Sequence, residues 1–313
     1  MKHLSIALLG TVAFGVSTGA HAAPAAVPTF AKDVAPIVYN KCTMCHRAGE
    51  VAPMAFMTYE DVRPWAKVIK TKVMAREMPP WGADPEHSLK FRNDRSLSRA
   101  EIETIAAWVD GGAPRGNPSD MPPPPTFAEG WTAGSEPDYI LEMPIDFAIP
   151  ADGELGVQMF YSKVPFTEDR FAERLEIRPG NRSVVHHAGV FVVDIPEGAR
   201  IDEHGRLVTA DGKASTDRGA GLAGRADTTA LPGANKLLSW VPGRGVDTHR
   251  ADIGKRIPAG KYINWQMHYN PNGKPTTDRT RLGIWFNRKP VTHELLIRQA
   301  GDALATTKGG LSL

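Results

Sequence analysis

The second half of this 313-residue chain contains the segment Val184-Val185-His186-His187-Ala188-Gly189-Val190, in an apolar run that continues to Val193. Its β-branched valines favour an extended strand. Side chains alternate along a strand, so His186 and His187 normally point to opposite faces of a sheet. Both imidazoles can bind one metal ion if the strand bends there. We expect Ala188-Gly189 to allow that bend.

Four further runs have the composition of short strands, and turn signals of the Pro-Gly, Asn-Gly and Pro-Ala-Gly type separate them. They are residues 157–163, 174–178, 263–269 and 282–286. Short strands of this kind, joined by tight turns, are typical of antiparallel β-proteins. Residues 131–313 are therefore predicted to form an all-β sandwich.

A third histidine, His268, lies in the strand-like segment Trp265-Gln266-Met267-His268-Tyr269. If this strand neighbours the one that carries His186 and His187, three imidazoles can meet on one ion. Imidazole suits copper and zinc alike, so the residues leave the metal open. Gln266 shares the face of His268 by alternation, where it could hydrogen-bond a ligand or a bound water. The alternative is that these polar residues form the solvated face of an antiparallel strand.

The first half of the chain contains Cys42-Thr43-Met44-Cys45-His46, here named the attachment segment. Two thiols at this spacing form thioethers with the vinyl groups of one haem, and the adjacent histidine ligates the iron. A thioredoxin-like dithiol would follow a strand in a βαβ pattern, and half of a zinc site would need further cysteines or paired histidines. The chain has two cysteines, both in this segment, so no structural disulfide is expected.

Helical patterns flank the attachment segment. A short helix is predicted over residues 33–40. Thr58 as N-cap begins a second helix. A capping box of Ser98 and Glu101 begins a third, which Gly111 ends.

With its haem motif among such helices, the region of residues 28–115 resembles a class I cytochrome c domain, a small all-α fold. In that family a methionine from the loop before the last helix ligates the iron opposite the histidine. The resemblance implies that Met78 and His46 hold the iron from its two sides. Met78 stands in Glu77-Met78-Pro79-Pro80-Trp81, where prolines stiffen the loop. The alternatives for Met78 are Met54, Met57, Met74 and, for a bis-histidine haem, His87.

Other stretches predict where the protein resides and how it is divided. Residues 1–23 combine Lys2, an apolar run and Ala20-His21-Ala22, which is the build of a cleavable signal peptide. No later stretch is long and apolar enough to cross a bilayer, so we expect a soluble periplasmic protein with no membrane span. Residues 116–130, with four consecutive prolines, are predicted to be a semi-rigid linker. A net charge of +2 without a basic, aromatic-rich run gives no indication of nucleic acid as a partner.

The His-His pair, together with the Gln-x-His-Tyr strand that follows Leu238-Ser239-Trp240, resembles the N-terminal half of the copper type II, ascorbate-dependent monooxygenases, the peptidylglycine and dopamine hydroxylases. The likeness covers about residues 135–290. In that family the first domain is a β-sandwich whose three histidines hold the electron-transfer copper. The resemblance implies that His186, His187 and His268 are the copper ligands here.

The chain departs from that family in two respects. The family's disulfides in this domain are impossible here, and its second domain supplies a His-x-His pair and a methionine for the copper that binds dioxygen. After His268 this sequence has one histidine, His293, and no methionine. We therefore expect no oxygen-activating copper in this chain, as in a truncated product or half of a two-part system. His204, His249 and His293 have no partner motif and are expected at the surface.

The predicted fold class is multidomain, with a small all-α cytochrome c domain followed by an all-β sandwich. The predicted function is electron transfer in the periplasm, with haem c exchanging electrons with a periplasmic donor or acceptor and passing them to the histidine-bound copper. The cytochrome then takes the place of ascorbate. Two alternatives remain: a copper monooxygenase, complete only with a partner subunit or missing C-terminal domain, and a plain c-type cytochrome with a structural β-sandwich. No Gly-x-Ser-x-Gly motif indicates a hydrolase.

Overall fold

The computed structural model describes residues 26–83, 90–91, 93–213 and 235–297, and strands dominate this part of the chain. The strands are β1 (Tyr139–Glu142), β2 (Phe147–Ile149), β3 (Gln158–Lys163), β4 (Arg170–Arg178), β5 (Val185–Val193), β6 (Arg200–Ile201), β7 (Leu207–Val208), β8 (Asn235–Trp240), β9 (Asp247–Thr248), β10 (Ile253–Ile257), β11 (Tyr262–Tyr269), β12 (Thr276–Asp278), β13 (Arg281–Phe286) and β14 (His293–Glu294).

Short helical segments precede the strands. They are a π-helical turn (Phe30–Val34), α1 (Ala35–Lys41), α2 (Tyr59–Val62), a 3-10 turn (Arg63–Trp65), α3 (Ala66–Met74), α4 (Arg99–Asp110) and a second 3-10 turn (Pro118–Asp120). Both predicted N-caps are present. The side chains of Thr58 and Ser98 accept hydrogen bonds from the amides of Asp61 and Glu101, whose carboxylates accept from the cap amides in return.

The predicted fold class, a small all-α cytochrome c domain followed by an all-β sandwich, is wrong. The described chain is mostly β-sheet, and its longest helix, α4, has 12 residues. Residues 42–58 contain no helix at all. The helix predicted from Thr58 onward is broken into α2, a 3-10 turn and α3, because Pro64 has no amide hydrogen to donate within the helix. These short pieces do not amount to a small all-α domain among the described residues.

Two larger sheets pack face to face, as in a β-sandwich. The first has the strand order β1-β13-β4-β10-β14, with β9 also paired to β4, and the second has the order β3-β11-β5-β8. Two further pairs are β12 with β2 and β6 with β7. The described strands pair in antiparallel fashion except for β10 with β14.

The sandwich core fills the space between these two sheets. Fully buried side chains come from the first sheet (Leu175, Ile177, Leu282, Ile284) and from the second (Val190, Val192, Trp265, Met267). The outer face of the second sheet carries a smaller apolar cluster of Met159, Tyr161, Phe191, Val193 and Leu207. The two faces of β5 and β11 are therefore distinct, and each side chain's face follows from its position along the strand.

The helical segments surround an apolar cluster of their own, which includes Phe30 and Trp108. The chain that leaves α4 is held to this cluster, because the carbonyl of Pro114 accepts hydrogen bonds from the Phe30 amide (2.9 Å) and from the Trp108 indole (3.0 Å). Further on, Trp131 packs edge-to-face on Trp285 of β13, with ring centroids 5.8 Å apart. The stretch between Pro114 and Trp131 is thus fixed at both ends.

In the described ranges, no helix has both the length and the apolar character that crossing a bilayer requires. The predicted signal peptide, residues 1–23, lies outside the described residues.

Leu282→Ala should lower the free energy of unfolding by about 2–5 kcal/mol, because the fully buried side chain of Leu282 fills the core between the sheets. Leu296 is 44% exposed, so Leu296→Ala should change that energy by less than about 0.5 kcal/mol. Urea unfolding of both variants measures the difference. Equal losses would contradict the assignment of this face to the core.

Candidate metal centre

The site is built on the neighbouring strands β5 and β11 of the second sheet. In their antiparallel register, His268 stands directly opposite His187. Ala188 and Met267, the next pair along, are buried in the sandwich core. Because side chains alternate, His187 and His268 point to the outer face of the sheet.

His186 joins them through a β-bulge. The register passes from the pair His268–His187 to the pair Tyr269–Val185, so His186 has no partner across the strands. An extra residue of this kind bends the strand and re-aims its side chain. The bend predicted at Ala188-Gly189 lies instead at His186, since Ala188 and Gly189 pair in regular register.

The three imidazoles converge. Nδ1 of His268 lies 3.1 Å from Nε2 of His187 and 3.3 Å from Nδ1 of His186. The potential ligand atoms of the three side chains all lie within 4.8 Å of one another. Two nitrogens bound at tetrahedral zinc distances lie about 3.3 Å apart, so this histidine trio (His186, His187, His268) could hold a metal ion.

Burial keeps two members of the trio, His187 and His268, in the neutral form that binds metal. Burial lowers the pKa of His187 to about 4, and the positive charges of His268, His186 and Lys236 add to that effect. Burial likewise lowers the pKa of His268, with His186 adding to it and the Glu154 carboxylate opposing it. At neutral pH both imidazoles therefore carry a free lone pair.

The trio is accessible from one side. His187 and His268 are half-buried, whereas His186 is exposed. A bound ion would therefore be held by side chains of the sheet and remain accessible to solvent on the side of His186.

Gln266 occupies the same strand face as His268, and its side chain forms a hydrogen bond along β11. Its side-chain nitrogen donates to Oδ1 of Asn264 over 3.1 Å. The side-chain amide of Asn264 in turn donates to the backbone carbonyl of Phe160 on β3. Gln266 therefore belongs to a polar row along β11 that begins beside the trio.

The attachment segment folds into a tight turn after α1. The amides of Cys45 and His46 both donate to the carbonyl of Cys42, over 3.1 and 2.9 Å. Both cysteines are free thiols. Burial raises the pKa of Cys42 to about 12, and burial also raises that of Cys45, against which the charge of Arg95 acts.

His46 is oriented by its surroundings. Its Nδ1 lies 3.1 Å from the carbonyl of Met54, and its ring stacks on Phe56 with centroids 4.3 Å apart. A hydrogen bond from Nδ1 to that carbonyl leaves Nε2 as the lone-pair nitrogen. Burial lowers the pKa of His46, against the effect of this hydrogen bond.

Residues 42–46 therefore fit a covalently attached haem. Two unbridged thiols and one imidazole with a free nitrogen are the donor set that such a group uses. The role of Met54 as an acceptor leaves no mark in the sequence, because any residue type supplies a backbone carbonyl.

Met78 lies in the loop after α3 and is 43% exposed, with its amide donating to the carbonyl of Lys72. Among the other methionines considered for the iron, Met74 is 58% exposed, and Met54 packs against the apolar cluster of the helical segments. His87 lies outside the described residues.

His249 differs from the expectation that it lies at the surface. It is half-buried, and its Nε2 is buried without a hydrogen-bond partner. Burial and the charge of Lys255 lower its pKa, so it is accommodated as a neutral side chain. His204 and His293 are exposed.

No family model matches the chain, and no curated protein matches it. Among solved structures, a chain in a structure of infectious bursal disease virus Gt strain is similar at 12% identity with a TM-score of 0.12. The similarity covers 59% of this chain and 51%, about half, of the viral one. It carries no argument about fold or function.

His187→Ala should abolish stoichiometric metal binding at the trio, because it removes the half-buried imidazole opposite His268. The exposed His204 provides the matched control, His204→Ala, which should bind as the wild type does. Isothermal titration with Cu²⁺ and with Zn²⁺ measures the effect. Unchanged stoichiometry in His187→Ala would refute the site.

Proposed function

We propose that this chain is a periplasmic redox protein in which one electron at a time passes from a periplasmic donor through haem c to a copper ion held by the histidine trio. The observation that supports it most is the convergence of His186, His187 and His268 on the outer face of one sheet. The attachment segment supplies the second centre.

Within this proposal three residues of the attachment segment would hold the haem. Cys42 and Cys45 would form the two thioethers. His46 would bind the iron through Nε2, held in place by the Met54 carbonyl and the Phe56 ring. Met78 would provide the sixth ligand, a thioether that raises the reduction potential relative to a second histidine.

The choice of copper rests on the resemblance of the histidine motifs to the monooxygenase family. Neutral imidazoles bind zinc as readily as copper, but zinc does not change its oxidation state in proteins. When bound, haem and copper each gain and lose single electrons. The protein's part is to hold both centres and to shape their surroundings.

The electron balance is simple. A haem held by Cys42, Cys45 and His46 would accept one electron from the donor, and a copper ion held by His186, His187 and His268 would accept that electron in turn. No proton or bond needs to move in either step, so no acid or base is required of the chain.

A second candidate function is part of a copper monooxygenase that needs a partner subunit or a further domain. The exposure of His186 on the outer face favours it, because a partner could approach the ion there.

The proposed location in the periplasm rests on residues 1–23.

The test is to purify the exported protein and count iron, copper and zinc per chain. We expect one iron and one copper. Ferrous protein without copper, mixed with one equivalent of Cu²⁺ in the absence of oxygen, should then lose one electron per haem. His187→Ala gives the rate at which unbound Cu²⁺ oxidises the haem.

Iron without stoichiometric copper would support a plain cytochrome and contradict the proposal. Zinc in place of copper would contradict the redox role of the trio. Material without iron would contradict the haem assignment.

A further inference from the structure

Two polar contacts join the attachment segment and its surroundings to the β-sandwich. In the first, the guanidinium of Arg95 donates to the carbonyls of Pro242 and Gly243, over 2.9 and 2.5 Å. These carbonyls belong to the turn that follows β8. The positive charge of Arg95 also acts to lower the pKa of the Cys45 thiol, and both Arg95 and Met44 of the attachment segment lie beside Gly243 in that turn.

In the second contact, Glu50 links two arginines. Oε1 of Glu50 accepts hydrogen bonds from Arg47 (2.6 Å) and from Arg182 (3.1 Å). Arg47 also donates to the carbonyls of Thr43 and Met44, over 3.0 and 2.8 Å. A continuous chain of hydrogen bonds thus runs from the attachment segment to the loop before β5.

Glu50 is buried, with 8% of its surface exposed, and its second carboxylate oxygen has no hydrogen-bond partner. A buried carboxylate is tolerated when cations offset its desolvation. Without Arg182, the Glu50 carboxylate would keep Arg47 as its hydrogen-bonded cation. The contact between Glu50 and Arg182 is therefore made only while the attachment segment lies against the sandwich.

The surface of the sandwich is shaped to this contact. Gly243 has a φ of +80°, and a side chain there would collide with Met44 and with the guanidinium of Arg95. The absence of a side chain lets the attachment segment lie directly on the turn. Arg47 in addition stacks on Phe127, 3.8 Å from its ring centre.

Both contacts meet the end of the second sheet that carries the histidine trio. Arg182 precedes the bulged residue His186 by four positions. Trp240, the last residue of β8, pairs with Ala188, next to His187. The attachment segment is therefore held beside the strand ends that position the proposed copper ligands.

We propose that Arg95 and the Glu50–Arg182 pair are positioning residues that lock the attachment segment against the histidine-bearing sheet. The two centres then exchange electrons across a fixed docked interface, without a diffusive search by a tethered partner. The lock itself is a property of the chain, and its role in electron transfer rests on the function proposed above.

The test compares Arg95→Gln, Arg182→Gln and the double variant in the full-length, metal-loaded protein. Arg250→Gln is the matched control, because Arg250 makes two 2.7 Å contacts with Asp252 on the surface of the sandwich and, among the described residues, has no hydrogen bond to the helical segments. Small-angle scattering measures the radius of gyration. Flash reduction of the haem, followed by its copper-dependent reoxidation, measures the internal electron-transfer rate.

We expect a larger radius of gyration for the double variant and an internal rate lowered about tenfold, which corresponds to a docked state weakened by about 1.4 kcal/mol. The haem spectrum and the copper stoichiometry should stay those of the wild type. Arg182→Lys keeps the charge beside Glu50 and should recover part of the rate. Because the two arginines lie on opposite sides of the interface, either single variant still tests the lock if the other does not fold.

An unchanged radius and an unchanged rate in folded variants would overturn the lock. The variants could have a larger radius of gyration while the wild type shows no copper-dependent reoxidation of the haem. That result would support the lock and overturn the proposed function. The two failures are therefore distinguishable.

Discussion

The antiparallel pairing of β5 with β11 is the constraint on which the candidate site depends. It sets His268 opposite His187, and the single extra residue in β5 turns His186 to the same side. Without the bulge, alternation would send His186 into the sandwich core, where an unpaired imidazole is costly. The bulge at His186 thus allows two neighbouring strands to place three potential ligands on one face of the sheet.

The core behind the sheet protects this register. Trp265, Met267 and Tyr269 on β11 are buried on the inner face and hold the strand in place. A slip by one residue would move all of them to the outer face and would carry His268 into the core. The hydroxyl of Tyr269 further donates a hydrogen bond to the buried carboxylate of Asp278, which also accepts one from Thr280. These bonds tie the end of β11 to the end of β12. Packing therefore positions the ligands before any ion binds.

Much of the local structure follows from the sequence, because short-range rules decide it. The capping boxes at Thr58 and Ser98 form as their spacing indicates, and the predicted β-prone runs correspond to β3, β4, β5, β11 and β13. The fold class does not follow in the same way, because the periodicity of apolar residues after Thr58 is that of one helix, whereas Pro64 divides this region into short pieces. The position of the bulge depends on pairing between distant strands. The contact of Arg95 with the turn at Gly243 joins residues that are far apart in the chain and involves backbone carbonyls, which carry no sequence signal.

All three imidazoles of the histidine trio are expected to bind one ion, and X-ray absorption at the copper K-edge of the copper-loaded protein measures this directly. We predict a first shell with three imidazole nitrogens at about 2.0 Å, which falls to two in His186→Ala. A spectrum with one or two imidazoles in the wild type, or one that His186→Ala leaves unchanged, would contradict binding of one ion by His186, His187 and His268.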